Sequence, residues 1–291
     1  MASEIIPSYP AAGSLEGTPR GSQTKVGPLD TYVAQPPVQK DNSSAVVVFY
    51  DEFGFKIPNA KLISDLLAEK TGLTVYCPDI FAGDGVSPED HSVIAIKDQR
   101  NIIKKLSESL EHHPKAHTAQ ILEFLTALKR EHSQLAAVGY GCGAKHAVHF
   151  ISSQTVQFKA AVVCHPSHVS FDDITQITEA VSFVWAEHDH VFDKTARESV
   201  NQFLVIDQQM NNAGGYTRDN FNAMVSSMAP QGPRPPVALS KGFEAQLVVY
   251  PGTVHGFAIR PDLRDPETRK AFDGALDQAA AFVTKHLQVK H

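Results

Sequence analysis

Cysteine is scarce in this chain: Cys77, Cys142 and Cys164 are the three among 291 residues. An odd number without regular spacing excludes a disulfide framework and suits a reducing compartment, so all three are expected as thiols in a cytosolic protein. Long apolar runs are also missing. No stretch approaches the ~18 residues of a membrane helix, and the opening "MASEIIPSYPAAGS" lacks a basic segment followed by an apolar one. Neither a membrane anchor nor a secretory leader is therefore expected. Basic charge is in deficit, with 26 Lys and Arg against 32 Asp and Glu and a net charge of -6. Without a basic run to follow a phosphate backbone, nucleic acid is not an expected partner. No Gly-x-Gly-x-x-Gly opens a helix after a first strand, which removes the dinucleotide fingerprint. "EHHPKAH" (Glu111–His117) has no second cluster at ligand spacing and reads as a solvated connector, so no metal and no cofactor is expected.

What remains is a chain with 42% hydrophobic residues, enough to bury one sizeable core, and a single domain over 1–291 is expected. The first stretch, to about Gln39, is rich in Pro, Gly and Ser. It reads as a surface wrap with one short strand at Thr31–Ala34. "SAVVVFY" (Ser44–Tyr50) is a short continuous apolar run, the pattern of a strand buried on both faces. "NAKLISDLLAEKTG" then places Leu62, Ile63, Leu66 and Leu67 on one helical face, with glycine as the stop. A strand ended by Pro78 follows, and further strands read at Leu135–Gly139, Lys159–Cys164, Val181–Trp185 and Ala245–Tyr250. Helical patterns lie at Ser92–Leu110, Thr118–Glu131, Gly143–Ser152 and Glu267–Leu287. This alternation predicts an α/β fold, a mainly parallel sheet with helices on both faces.

Ligands of such sheets bind beyond the carboxyl ends of the strands. The segments there are "DEFGF" (Asp51–Phe55), "CPDIFAGDG" (Cys77–Gly85), "GYGCGAK" (Gly139–Lys145), "CHPSH" (Cys164–His168), "AEHDHVFD" (Ala186–Asp193) and "PGTVHGFAIR" (Pro251–Arg260). In chain order they offer a possible nucleophile, an acid and a histidine, the triad order of α/β-hydrolases.

With "GSLEGTPRG" near the start, these pieces make the chain resemble the fungal branch of the dienelactone hydrolase family, over a span from about residue 13 to the end. The resemblance implies an α/β-hydrolase fold, with Asp189 as acid and His255 as base. It also implies a cysteine at the third position of Gly-x-Cys-x-Gly. Here that position, in Gly139-Tyr140-Gly141-Cys142-Gly143, is Gly141. A nucleophile elbow needs small residues two positions to each side of its strained apex. Gly139 and Gly143 suit an apex at Gly141, whereas an apex at Cys142 would place Tyr140 and Ala144 there. Two readings stay open for Cys142: a nucleophile shifted by one residue at a helix N-terminus that lowers its pKa, or a small buried hydrophobe.

Glu187 and Asp193 accompany Asp189 in its loop, and Asp189 itself could instead cap the following helix. On a Cys142 centre the oxyanion donors would be the N–H groups of Gly143 and Glu52. The resemblance places Asp51 beside the resting nucleophile and Arg260 against a substrate carboxylate. The second arginine of that clamp is replaced by Gly83, which argues against a dianionic dienelactone. "CHPSH" reads as a scaffold turn. The segment Asn201–Ala245, with helical spacing at Val200–Met210 and Phe221–Met228, is longer than the resemblance leads one to expect and could form a lid. Three functions follow. One is hydrolysis of a small-molecule ester, lactone or thioester. Another is a cyclase, dehydratase or isomerase of secondary metabolism using His255 and Asp189. The third is a silent binding protein.

Overall fold

The computed structural model describes residues 13–83, 85, 114–153, 155–189, 191–192, 194–212 and 243–289. Within them the strands are β1 (Ser22–Val26), β2 (Leu29–Ala34), β3 (Ser44–Phe49), β4 (Thr74–Pro78), β5 (Gln134–Tyr140), β6 (Ala160–Cys164), β7 (Ala180–His188) and β8 (Ala245–Val254). The helices are α1 (Asn59–Thr71), α2 (Pro114–Glu131), α3 (Gly143–Ile151), α4 (Phe171–Ile174), α5 (Lys194–Asn212) and α6 (Pro266–His286). The strands form one sheet in the order β1-β2-β4-β3-β5-β6-β7-β8, parallel from β4 onward and antiparallel at β1 and β2.

Every residue of β3, β4 and β6 is buried, which explains their unbroken apolar runs: helices cover both faces, so no side chain alternates into water. α1 stops at Gly72, whose left-handed φ of 71° returns its N–H to Ala68 O. α6 starts at Asp265, whose carboxylate accepts from the N–H groups of Glu267 and Thr268, with Pro266 in the first turn.

The chain crosses from β3 through α1 to β4 in one direction along the sheet, then from β5 through α3 to β6 in the other. Right-handed crossovers accordingly place α1 on one face and α3 on the opposite one. α6 packs against α1. The direction reverses between β3 and β5, so their carboxyl ends open a crevice at the topological switch point. Asp51 follows β3 and Gly141 follows β5, which brings two distant segments of chain together there.

The beginning of the chain corrects one expectation. Of the described residues before Gln39, β1 and β2 are no surface wrap but form an antiparallel hairpin that extends the sheet, with β2 beside β4. β2 contains the strand read at Thr31–Ala34 and is largely buried, whereas β1 is an exposed edge whose polar residues masked its strand pattern. Ahead of the hairpin, fully buried Asn59 donates to Gly13 O at 2.7 Å and to Ile259 O at 2.8 Å, and accepts from Leu15 N at 2.9 Å. It thereby ties the "GSLEG" segment to the turn after His255. The helix expected at Ser92–Leu110 and the one at Phe221–Met228 lie outside the described residues, as does most of the Asn201–Ala245 segment. Its first part, to Asn212, continues α5.

Candidate active site

His255 stands at the turn after β8, and Asp189 just past β7. The His255 ring nitrogen Nδ1 lies 2.9 Å from Asp189 Oδ2 and 3.0 Å from Oδ1, and both side chains are 2% exposed. An ionised carboxylate only accepts, so Nδ1 carries the proton and Nε2 is left as the acceptor of the neutral ring. Asp189 also takes the N–H groups of Val191 at 2.9 Å and Phe192 at 3.0 Å. It therefore organises its own loop while orienting the histidine. Burial raises its pKa, but the charge and hydrogen bond of His255 and the two N–H groups prevail and hold it at about 2. Glu187 turns instead to the Gly252 N–H at 2.8 Å, and Arg197 grips the carbonyls of Ala186 and Glu187 at the end of β7.

The strand-to-helix turn after β5 is built around Gly141, whose φ is +52°. A Cβ on Gly139 would come within 2.6 Å of Ala144 Cα, and one on Gly143 within 2.3 Å of Tyr50 O. Both flanking glycines are thus required by close backbone approach, the signature of an elbow with its apex between them. Cys142 has helical φ and ψ and is the N-cap residue of α3. Its Sγ lies 3.9 Å from Tyr50 O, and burial followed by the charges of Glu52 and Asp51 pushes its thiol pKa well above the ordinary value. This corrects the shifted geometry. The N–H that follows the apex is that of Cys142 rather than Gly143, whose Cα is packed on the end of β3.

A Cβ on Gly141 would lie 3.1 Å from Asp51 Cβ and 3.5 Å from Glu52 Oε2, so the loop after β3 closes over the apex. Asp51 is engaged by Arg260, whose Nε donates to Oδ2 at 2.6 Å, while Nη2 lies 3.4 Å from Glu52 Oε1. Arg260 is 1% exposed, and its guanidinium stacks 4.4 Å from the centre of the Phe53 ring. The guanidinium expected to grip a substrate carboxylate thus holds the protein's own. Gly256 makes this fold possible: its φ is +90°, and a Cβ there would meet Arg260 Nη2 at 2.8 Å. Burial and then Glu52 act against Arg260 on Asp51, whose pKa rises to about 6.

The segment taken for a scaffold turn reaches the histidine. Ser167 Oγ lies 3.2 Å from His255 Nε2. His165 packs edge-on to His255 at 5.1 Å between ring centroids, wholly buried, with neither ring nitrogen partnered among the described residues. Burial, then His255, holds the His165 pKa well below the ordinary value, so the ring is neutral. Nothing in the spacing of "CHPSH" gives this contact, because it depends on where β8 delivers His255. Among the described residues no group of three His, Cys, Asp or Glu is placed to hold a metal ion, and no helix is long and apolar enough to cross a membrane. The "EHHPKAH" side chains lie outside the described residues.

The mixed sheet, its crossovers and the turn after β5 define an α/β-hydrolase fold. Solved structures share it: a dienelactone hydrolase from Anabaena variabilis matches with a TM-score of 0.51 at 11% identity, over 91% of this chain and 96% of its own. An esterase/lipase from an uncultured bacterium gives 0.54 at 7% identity, over 94% and 88%. The model of the dienelactone hydrolase family matches residues 29–232, and the chain belongs to that family, a family of hydrolases. Among curated relatives, hydrolase pyvD of Aspergillus violaceofuscus is 26% identical over 95% of both chains. Hydrolase tropI of Talaromyces stipitatus is 24% identical over 94% of this chain and 93% of its own. The human carboxymethylenebutenolidase homolog is 27% identical over 66% and 74%.

Proposed function

We propose that this protein hydrolyses a small ester, lactone or thioester, with His255 as general base and Asp189 as its orienter. The observation that carries the reading is the Asp189–His255 pair, bonded at 2.9 and 3.0 Å beside the turn at Gly141. A carboxylate fixing one imidazole nitrogen leaves the other ready to take a proton from an attacking oxygen and return it to the leaving group. Cys142 is not assigned the attack, because its sulfur sits against Tyr50 O with a raised pKa and the apex of the turn is its neighbour. Donors for a developing oxyanion are the N–H of Cys142, which follows the apex, and one from the loop carrying Glu52. The pairing of Arg260 with Asp51 favours an uncharged acyl group over a carboxylate-bearing one.

Gly141 at the apex also suits a second reading, in which His255 and Asp189 shuttle protons in a cyclase, dehydratase or isomerase without a covalent intermediate. A panel of 4-nitrophenyl esters, lactones and acyl thioesters separates the two. Hydrolysis that falls at least about a hundredfold in His255→Ala and Asp189→Asn supports the first reading. Hydrolysis indifferent to both substitutions, or none with any substrate, overturns it.

A further inference from the structure

We propose that Ser167 is the nucleophile of this site, delivered from the turn after β6 rather than from the elbow apex after β5. The assignment rests on the reading of His255 as base. Ser167 Oγ lies 3.2 Å from Nε2, the ring nitrogen opposite the one bound to Asp189, so Asp189, His255 and Ser167 form one continuous hydrogen-bonded chain. In a ring whose Nδ1–H points at Asp189, Nε2 accepts the serine proton, which is the polarity nucleophilic activation requires.

The position of the serine supplies an independent argument. Its backbone N–H donates to Gly141 O at 2.9 Å, and Gly141 N donates to Cys164 O at 3.2 Å, so the turn after β6 is laced to the elbow. Ser167 therefore sits beside the apex where Gly141 carries no side chain. Two residues around it adopt left-handed backbone although neither is glycine: His165 at φ +34° and His168 at φ +58°. Strain of this kind concentrates where a side chain must be presented in one direction. An ordinary connecting turn would be relieved by glycine. Here the wholly buried His165 ring packs against His255 and fixes the start of the turn instead.

The chemistry balances without any further reactant than water. Ser167 Oγ adds to the acyl carbon as its proton passes to His255 Nε2. Collapse of the tetrahedral intermediate breaks the bond to the leaving oxygen or sulfur, which takes that proton. Water then attacks the acyl-serine, His255 receives its proton, and release of the acid returns the proton to Ser167.

A fluorophosphonate probe and 4-nitrophenyl acetate test this on the full chain, with intact-mass and peptide analysis. The expected result is one phosphonate on Ser167, lost in Ser167→Ala and slowed at least a hundredfold in His255→Ala. A pre-steady-state burst should also be present in wild type and absent in Ser167→Ala. Ser167→Cys, nearly the same size, should restore the burst with 4-nitrophenyl acetate as an acetyl thioester at residue 167, which a serine that only steadied the histidine would not explain. No adduct at 167 in wild type, or full hydrolysis by a folded Ser167→Ala, overturns the proposal. If His255→Ala abolishes hydrolysis while Ser167→Ala does not, only the serine assignment falls. If neither matters, the general-base reading falls with it.

Discussion

Asp51 and Arg260 lie 209 positions apart and meet as a buried ion pair at 2.6 Å, joining the loop after β3 to the turn after His255. Their side chains are 2% and 1% exposed, so each is the other's main compensation for lost water. Removing one partner leaves an uncompensated buried charge, which costs about 3–5 kcal/mol. Asp51→Ala and Arg260→Ala should each lower the unfolding free energy from urea melts by that amount, and the double variant should lose less than the sum of the two. Equal additive losses in urea melts would show that the pair is not energetically coupled.

Acid titration of stability should have two limbs of opposite sign. Asp189 has a folded pKa lowered to about 2, so its contribution is present above the unfolded value of about 3.9 and lost as pH falls from about 4 through 2. Asp51 has a folded pKa raised to about 6, so its contribution is present below about 3.9 and lost as pH rises through 6. Each shift of about two units corresponds to roughly 2–3 kcal/mol. Urea unfolding from about pH 1.5 to about pH 7.5 should show Asp189→Asn flattening the lower limb and Asp51→Asn the upper one.

Gly141→Cys should raise 4-nitrophenyl ester hydrolysis at least tenfold, since it sets a thiol, a stronger nucleophile than the Ser167 hydroxyl, at the apex of the elbow, and a decade needs only ~1.4 kcal/mol. The new Cβ would lie 3.1 Å from Asp51 Cβ, so the loop after β3 must yield by a few tenths of an ångström. Inactivation of the variant by iodoacetamide, measured beside its ester kinetics, shows whether the new thiol is the source of the gain.

Cys142→Ala should leave turnover within about twofold of wild type, a change well under 1 kcal/mol. Burial and the nearby Glu52 and Asp51 keep its thiol protonated, so iodoacetamide should modify Cys142 slowly at neutral pH. A rapid, stoichiometric adduct at 142 that abolishes activity would return the attack to this residue.

The alternation of apolar runs and helical faces was enough to read β3 to β8, α1, α2, α3, α6 and the second half of α5, with ends displaced by a few residues, whereas the single turn of α4 was not read. Those runs are apolar because both faces of the sheet are covered. β1 was not legible: an exposed edge strand pairs through backbone groups that every sequence possesses, and "SQTKV" has no buried face to pattern. The spacing of Gly139, Gly141 and Gly143 anticipated the turn, since only glycine fits where backbones come within 2.3 to 2.6 Å of a would-be Cβ.

Asp189 and His255 could be nominated from their places after strands, yet Glu187 stood equally close in sequence. The resemblance favoured Asp189, and the path of the chain sends Glu187 to the Gly252 N–H and Asp189 to the imidazole. Arg260 illustrates the same division. Its sequence position offered a cation near the site, but Gly256 folds it back onto Asp51, a partner 209 residues away.

The sequence by itself determined the layered fold and the elbow that only small residues can form, because each rests on local pattern or steric fit, while it offered Asp189 and His255 as candidates through a family resemblance. Tertiary structure decided which groups meet. Ser167 and His255 are 88 positions apart, and no periodicity relates them. Their contact exists because β6 and β8 end on the same rim of the sheet, with β7 between them carrying the acid that orients the ring.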